Sequence, residues 1–213
     1  MSKLIMFIFC INLLQGEGAE DISFRYGFMG QLKSNPDSTV ELGNNSIVHT
    51  GDIVRINIGY LKDSYFYLIY LDSDGNYSLT LPKDSIDENS QDTLYTTVLR
   101  GELTNPPGKE SFYLINSKLP LSYLTKLLSR YENAPDKAKI KLAKKIQVEL
   151  DALDPNAKAE LSSIASRLDK PLVGGVTFRG DDDDKLKDMS LTHECKGTGG
   201  LAFIKIVLKS LNK

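Results

Sequence analysis

The sequence has few cysteines and histidines, two residue types that often carry catalysis or bind metal ions. Its 213 residues include two cysteines, two histidines and no tryptophan. With only His49 and His193, the chain cannot form a histidine-rich metal centre. The His-Glu-x-x-His, Gly-x-Ser-x-Gly and glycine-rich phosphate-loop motifs are also missing. We therefore expect no cofactor and no catalytic centre of these types.

The scarcity of cysteine limits what the remaining thiol can do. Cys10 lies in an N-terminal stretch that we expect to be removed, which leaves Cys195 alone and excludes an internal disulfide or a multi-cysteine zinc site. His193 precedes Cys195 by two residues, so one alternative is a small cysteine-dependent hydrolase that uses both. Catalytic cysteine–histidine pairs usually meet from separate chain segments, however. We favour a partly buried structural cysteine.

No excess of charge and no long apolar run marks the body of the chain. The formal net charge is −2, which does not favour a nucleic-acid partner. Apart from the N-terminus, no window of about 18 residues is apolar enough to predict a membrane span in the mature chain.

Residues 1–19 have the pattern of a signal peptide. Lys3 is followed by an apolar stretch from Leu4 to Leu14, and small residues follow at Gly16 and Gly18. An apolar segment of this length is too short to span a bilayer and is typical of export signals. We expect a mature chain that starts near Ala19 or Glu20 and lies in the periplasm or outside the cell.

Alternating and helical apolar patterns follow one another along the mature chain. Short alternating segments with turn residues between them predict an antiparallel sheet, for example Val54, Ile56 and Ile58 on one face of a strand. Leucines and isoleucines at helical spacing then predict two or three amphipathic helices within about 119–168. The apolar stripe of the second would contain Ile140, Ile146, Leu150 and Leu153. The third would begin at Asp154, an N-cap residue that precedes a proline.

The residues after these helices again have strand-like patterns, above all residues 201–211. We expect this segment to return as a closing strand and pair with the strands that precede the helices, which would make the helices an insertion. The sequence thus predicts a mainly β, α+β fold. It would be one antiparallel β-sandwich-like domain over residues 20–213, with a helical insertion at about 119–168.

Two aspartates before a glycine, Asp72, Asp74 and Gly75, suggest either a metal loop or a hairpin turn. If Gly75 took the sixth position of an EF-hand loop, Tyr70 and Leu81 would stand at positions one and twelve, where calcium needs oxygen ligands. Asp-Gly between alternating apolar segments is instead a strong hairpin signal. We favour the hairpin, with the aspartates bonded to nearby backbone amides.

The order of several short motifs over residues 45–122, with a weaker match at the closing strand, resembles the domain of unknown function 4384 (DUF4384) family of exported bacterial proteins. These motifs are a Gly-Asp before an alternating strand, an Asp-x-Asp-Gly turn after an aromatic strand, a Leu-Pro closing the next strand, and a Pro-Gly followed by an acidic residue. The matching residues are Gly51, Asp52, Tyr65, Tyr67, Asp72, Asp74, Gly75, Leu81, Pro82, Pro107, Gly108 and Glu110. The resemblance implies a β-sandwich accessory module without catalytic residues of its own.

Two runs of charge remain. Asp181, Asp182, Asp183 and Asp184 form an acidic run that we interpret as a surface loop, with a calcium site as the alternative. The lysines of the second predicted helix suggest a solvated face, or peripheral contact with anionic lipid or cell-wall polymer. They are Lys137, Lys139, Lys141, Lys144 and Lys145. We expect a non-catalytic binding or assembly module of the bacterial envelope, with a protein or envelope component as partner.

Overall fold

The computed structural model describes residues 21–81, 93–104, 106–154, 159–163 and 191–212. The predicted signal peptide, Pro82 and the Asp181–Asp184 run lie outside these ranges. The first eight strands are β1 (Ile22–Gln31), β2 (Thr39–Glu41), β3 (Ile47–His49), β4 (Ile53–Leu61), β5 (Tyr65–Leu71), β6 (Tyr77–Thr80), β7 (Thr93–Glu102) and β8 (Lys109–Ser117). Helices α1 (Ser122–Glu132) and α2 (Asp136–Leu153) follow, and then β9 (Ala159–Ser163), β10 (His193–Gly197) and β11 (Leu201–Leu211).

The described residues are mostly β, in two sheets with two helices, so the predicted α+β class is confirmed at this level. The first sheet has the order β7-β4-β1-β10-β9, with β2 also paired to β1. The second has the order β3-β11-β8-β5-β6. Within the described strands, the pairing is antiparallel except between β11 and β3.

The two sheets face each other across a common apolar core. Val54, Ile56 and Ile58 of β4 are buried in it, as the alternation of that segment predicts. The second sheet contributes Leu68 and Leu114, among others. Full burial of one such aliphatic side chain stabilises the fold by about 1.5–3 kcal/mol, so this core is the main source of stability.

A second apolar core lies between the helices and the other side of the second sheet. The buried residues of the helices are Leu124, Leu127, Leu128, Tyr131, Ile146 and Leu150. They pack with strand residues such as Tyr113, Ile115 and Phe203. Helices of this length are marginal in water, so this contact is what holds them in place.

Ile140 is an exception to the predicted apolar stripe of α2, because it is exposed. Helical residues turn by about 100° each, which places Ile140 roughly 100° from the stripe formed by Ile146, Leu150 and Leu153. The predicted stripe was therefore wrong at this position, and Ile140 belongs to the outward side of the helix.

After the helices the chain returns to both sheets. β10 pairs with β1 in the first sheet, and β11 lies between β3 and β8 in the second. The apolar residues of β11 that enter the core between the sheets are Ala202, Ile204, Ile206 and Leu208. The strand prediction for residues 201–211 is confirmed, since it pairs with strands that precede the helices.

One predicted element was wrong. Residues 159–163 form β9 rather than a third helix, since they pair along the whole of β10, and Asp154 ends α2 instead of starting a new helix. Pairing between distant segments here overrides a local preference.

Candidate functional site

The Asp72–Asn76 loop connects β5 to β6 as a hairpin. The Gly75 N–H donates to the Asp72 carbonyl at 3.1 Å, and Gly75 has a φ of 84°. The Asp72 carboxylate accepts from the Asn76 backbone N–H at 2.7 Å and from the Asn76 side-chain amide at 3.0 Å. Glycine adopts this positive φ without steric cost, and the Asp72 carboxylate accepts hydrogen bonds from N–H groups of the turn itself. The geometry is that of a turn, with the Asp72 oxygens already engaged.

The same loop contacts the segment before β8, so two of the motifs singled out in the sequence meet in space. The Ser73 hydroxyl donates to the Pro106 carbonyl at 2.6 Å. A Cβ at Gly108 would lie 2.7 Å from the Cβ of Ser73, so only glycine allows this approach without a shift.

Glu110 is the central polar residue of this contact. It is only 2% exposed, and the Tyr70 hydroxyl donates to its Oε2. Burial raises the pKa of the Glu110 carboxyl, with smaller effects in the same direction from the charges of Asp72 and Asp74. Tyr70 also stacks on Phe112, at 4.9 Å between ring centroids. We refer to Tyr70, Ser73, Gly108 and Glu110 as the hairpin cluster.

Asp52, which follows Gly51 in the first of the motifs, is also buried and bonded. Its Oδ1 accepts from the backbone N–H of Lys33 and its Oδ2 from that of His49, both at 2.8 Å. Gly51 before it has a φ of 93°. A carboxylate with two backbone donors of this kind fixes loops together, and the distances give Asp52 this structural role.

Cys195 faces the core between the sheets rather than solvent. It is 0% exposed, and burial raises the pKa of its thiol to about 12. A nucleophilic cysteine needs a lowered pKa and access to substrate. The position of Cys195 therefore argues against its use as a nucleophile.

His193 lies on the same strand but is held by other residues. Its Nε2 is 2.5 Å from Oε1 of Glu41, and its ring stacks on Tyr26 at 5.1 Å between centroids. Thr192 donates to the same Glu41 oxygen at 3.0 Å. These contacts join the ends of β2 and β10, which lie along the same edge of β1. No local pattern points to Glu41 or Tyr26 as partners of His193, because both are far from it along the chain.

The predicted lysine cluster of α2 divides into two groups. The ammonium of Lys139 lies over the Tyr131 ring, 5.5 Å from its centroid, so this lysine packs against the body of the protein. The other four point outward and are exposed; we call them the lysine face, formed by Lys137, Lys141, Lys144 and Lys145. None of their ammonium groups makes an ion pair or side-chain hydrogen bond in the described part of the chain.

Two aliphatic side chains lie among these lysines. Ile140 and Val148 are each 64% exposed, and both fall on the outward side of α2. On the opposite side of the helix, Ile146 and Leu150 are buried. Gln147, at the border between the two sides, accepts a hydrogen bond from Tyr77 at 2.8 Å. The strand layer thus fixes which side of α2 faces outward.

The described residues contain neither a candidate metal site nor a candidate membrane-spanning helix. No group of three or more acidic, histidine or cysteine side chains is arranged there to hold a metal ion. Neither α1 nor α2 has the length and apolarity needed to cross a bilayer. The Asp181–Asp184 alternative lies outside the described residues.

Comparison with known proteins gave no match, whether to a protein-family model, to a curated protein or to a solved structure. The resemblance to the 4384 family stays a prediction.

Proposed function

We propose that this protein is an exported, non-catalytic binding or assembly module of the bacterial envelope. Its β-sandwich-like body carries a helical layer, and the lysine face on α2 is the surface that meets a partner. The observation that carries this proposal is the set of four outward ammonium groups without a partner inside the described fold.

The lysine face does not serve the stability of the helix. Lys137, Lys141 and Lys145 follow one another at intervals of four residues, a spacing at which like charges repel. Lys137 also lies in the first turn of α2, where the helix dipole disfavours cations. Each effect costs a few tenths of a kcal/mol, so the arrangement is better explained by contact with something anionic.

The helices differ in charge from the rest of the chain. α1 and α2 together carry seven Lys or Arg and four Asp or Glu, a net charge of +3. The whole chain has a net charge of −2, so the remainder carries −5. Lys126 and Arg130 of α1 are exposed as well. A cationic layer on an anionic protein orients it toward a negatively charged partner.

Export is supported by the signal-peptide pattern of residues 1–19 and by the resemblance to exported bacterial modules. Absence of catalysis is supported by the burial of Cys195 and by the structural contacts of Asp52 and Glu110. The alternative of a hydrolase that uses Cys195 and His193 predicts rapid alkylation of the native thiol. We expect slow alkylation that speeds up only on unfolding.

Cross-linking in the envelope tests the proposal. A photoreactive amino acid at position 144 should give adducts in cells that export the protein. A matched probe at position 196, an exposed lysine on the first sheet that pairs with Glu194 at 3.3 Å, should give few. Equal labelling from both positions, or none from position 144, would contradict the lysine face as the contact surface. Mass spectrometry of the exported protein should give a chain that starts near Glu20.

A further inference from the structure

We propose that the partner of the lysine face is the surface of an anionic lipid bilayer, on which α2 lies with its axis parallel to the membrane plane. This inference rests on the proposed binding role of α2 and names the chemistry of its partner.

The exposed aliphatic residues favour a bilayer over a soluble polyanion. Ile140 and Val148 are eight residues apart, which corresponds to about 12 Å along the helix. Lys144 lies between them along the chain, and Lys137 and Lys141 lie on the same side of the helix. A nucleic acid or a cell-wall polymer would attract the lysines but would gain nothing from Ile140 and Val148. In a bilayer, the lipid phosphate groups can bind the lysines, and the boundary of the acyl chains can take up Ile140 and Val148.

The orientation of α2 suits this contact. Ile146 and Leu150 are buried against the strands, so α2 cannot turn its main apolar stripe toward lipid. The outward side is therefore already presented, with four lysines and two aliphatic side chains, and no unfolding is needed before contact. Lysine stems also let the ammonium groups reach the phosphates while Ile140 and Val148 enter the interface.

The acidic residues near this side stand toward the ends of the helix. Asp136 is in the first turn, and Asp151, in the last turn, accepts from the Gln147 side chain at 2.6 Å. The positive charge is thus concentrated between residues 137 and 145. Because several unit charges act together, binding should be steeply dependent on lipid charge and on salt.

Co-sedimentation of the full mature chain with vesicles tests the inference. Vesicles of phosphatidylcholine mixed with phosphatidylglycerol should bind the protein, and vesicles of phosphatidylcholine alone should not. The Lys141→Gln/Lys145→Gln variant should lose roughly 10- to 30-fold in partition coefficient. The matched control Arg100→Gln/Lys196→Gln removes two exposed charges from the first sheet and should bind within about 2-fold of the wild type. Melting curves check that each variant is folded.

The Ile140→Ser/Val148→Ser variant separates a bilayer from other anions. We expect it to weaken vesicle binding several-fold with all charges kept. Unchanged binding by this variant, or an equal loss in the Arg100/Lys196 control, would overturn the inference. If the wild type does not bind anionic vesicles but a probe at position 144 still cross-links to an envelope protein, the lipid inference fails and the proposed function stands. If neither is seen, both fail.

Discussion

The hairpin cluster and the lysine face are both rich in polar side chains, but they differ in where those side chains find their partners. Glu110 is buried, and its carboxyl is bonded to Tyr70 within the fold. The four lysines of α2 are exposed, and their ammonium groups have no such partner in the described residues. A buried polar group must be bonded internally or it costs stability, whereas an exposed charge is solvated and remains available.

The residues that carry the family resemblance and the residues of the proposed contact surface lie in different parts of the molecule. The motif residues that suggest a family, among them Asp52, Gly75 and Glu110, hold loops and strands together. The candidate contact surface lies on α2, outside those motifs. The comparison predicts that changes in the hairpin cluster affect folding, whereas changes in the lysine face affect binding and leave folding intact.

Removal of the last two strands should have the largest effect. A chain that ends at residue 168 lacks β10 and β11, and β11 stands between β3 and β8 with four side chains in the core. We expect no cooperative thermal transition for this form or for the 20–118 fragment. Deletion of residues 212–213 alone, beyond β11, should leave the transition in place. A well-dispersed amide spectrum from the 20–118 fragment would show that the early strands form a separate domain.

Glu110→Ala should be the most destabilising substitution of the hairpin cluster. It removes the acceptor of the Tyr70 hydroxyl in a buried place and leaves a cavity, which we expect to cost about 3 kcal/mol of unfolding free energy. Urea titration measures this value. Glu110→Gln keeps the shape and an acceptor and should cost about 1 kcal/mol or less.

The Glu110→Gln variant also gives a pH test, by comparison with the wild type. The pKa of the Glu110 carboxyl is raised in the folded state, so the folded protein holds this proton more tightly than the unfolded chain. The contribution to stability is therefore present at low pH and is lost as pH rises through the folded pKa. Relative to Glu110→Gln, the wild type should lose stability as pH rises above the ordinary range of a glutamate. A parallel pH profile for the two proteins would contradict the raised pKa.

Gly75→Ala should have an intermediate effect. A Cβ at this position meets no atom within 4 Å, so the cost comes only from the φ of 84° and should be about 1 kcal/mol. Gly43→Ala is the matched control, since it also meets no atom and has no positive φ, and it should change stability by less than about 0.5 kcal/mol. Calcium should not shift the melting temperature of the wild type. A shift of several degrees that Asp74→Asn removes would restore the metal-loop alternative.

The lysine face should give the smallest change in stability. Lys141→Gln/Lys145→Gln relieves a repulsion between like charges at four-residue spacing, so we expect stability to stay the same or rise by up to about 0.5 kcal/mol. Thermal melting at low salt measures this. A loss of more than about 1 kcal/mol would mean that these lysines support the fold.

The sequence was informative wherever the deciding interactions are local. The alternation in β4, the apolar spacing of α1 and the Asp-Gly signal at Gly75 each reflect a preference carried by a few neighbouring residues. It was misleading at residues 159–163, where pairing with β10 prevailed over a helix signal. Two contacts join segments that are distant along the chain: Glu110 with Tyr70, and Glu41 with His193. No local sequence pattern predicts either contact.

The most direct test of the lysine face is an amide chemical-shift map of the mature protein, recorded with and without bicelles that contain phosphatidylglycerol. We predict that the shifts concentrate on the outward side of α2, around Ile140, Lys141, Lys144 and Val148, and that high salt reverses them. The amide shifts of the hairpin cluster and of the residues around His193 should not change. Shifts centred on the hairpin cluster or on the first sheet, with α2 unaffected, would contradict the account.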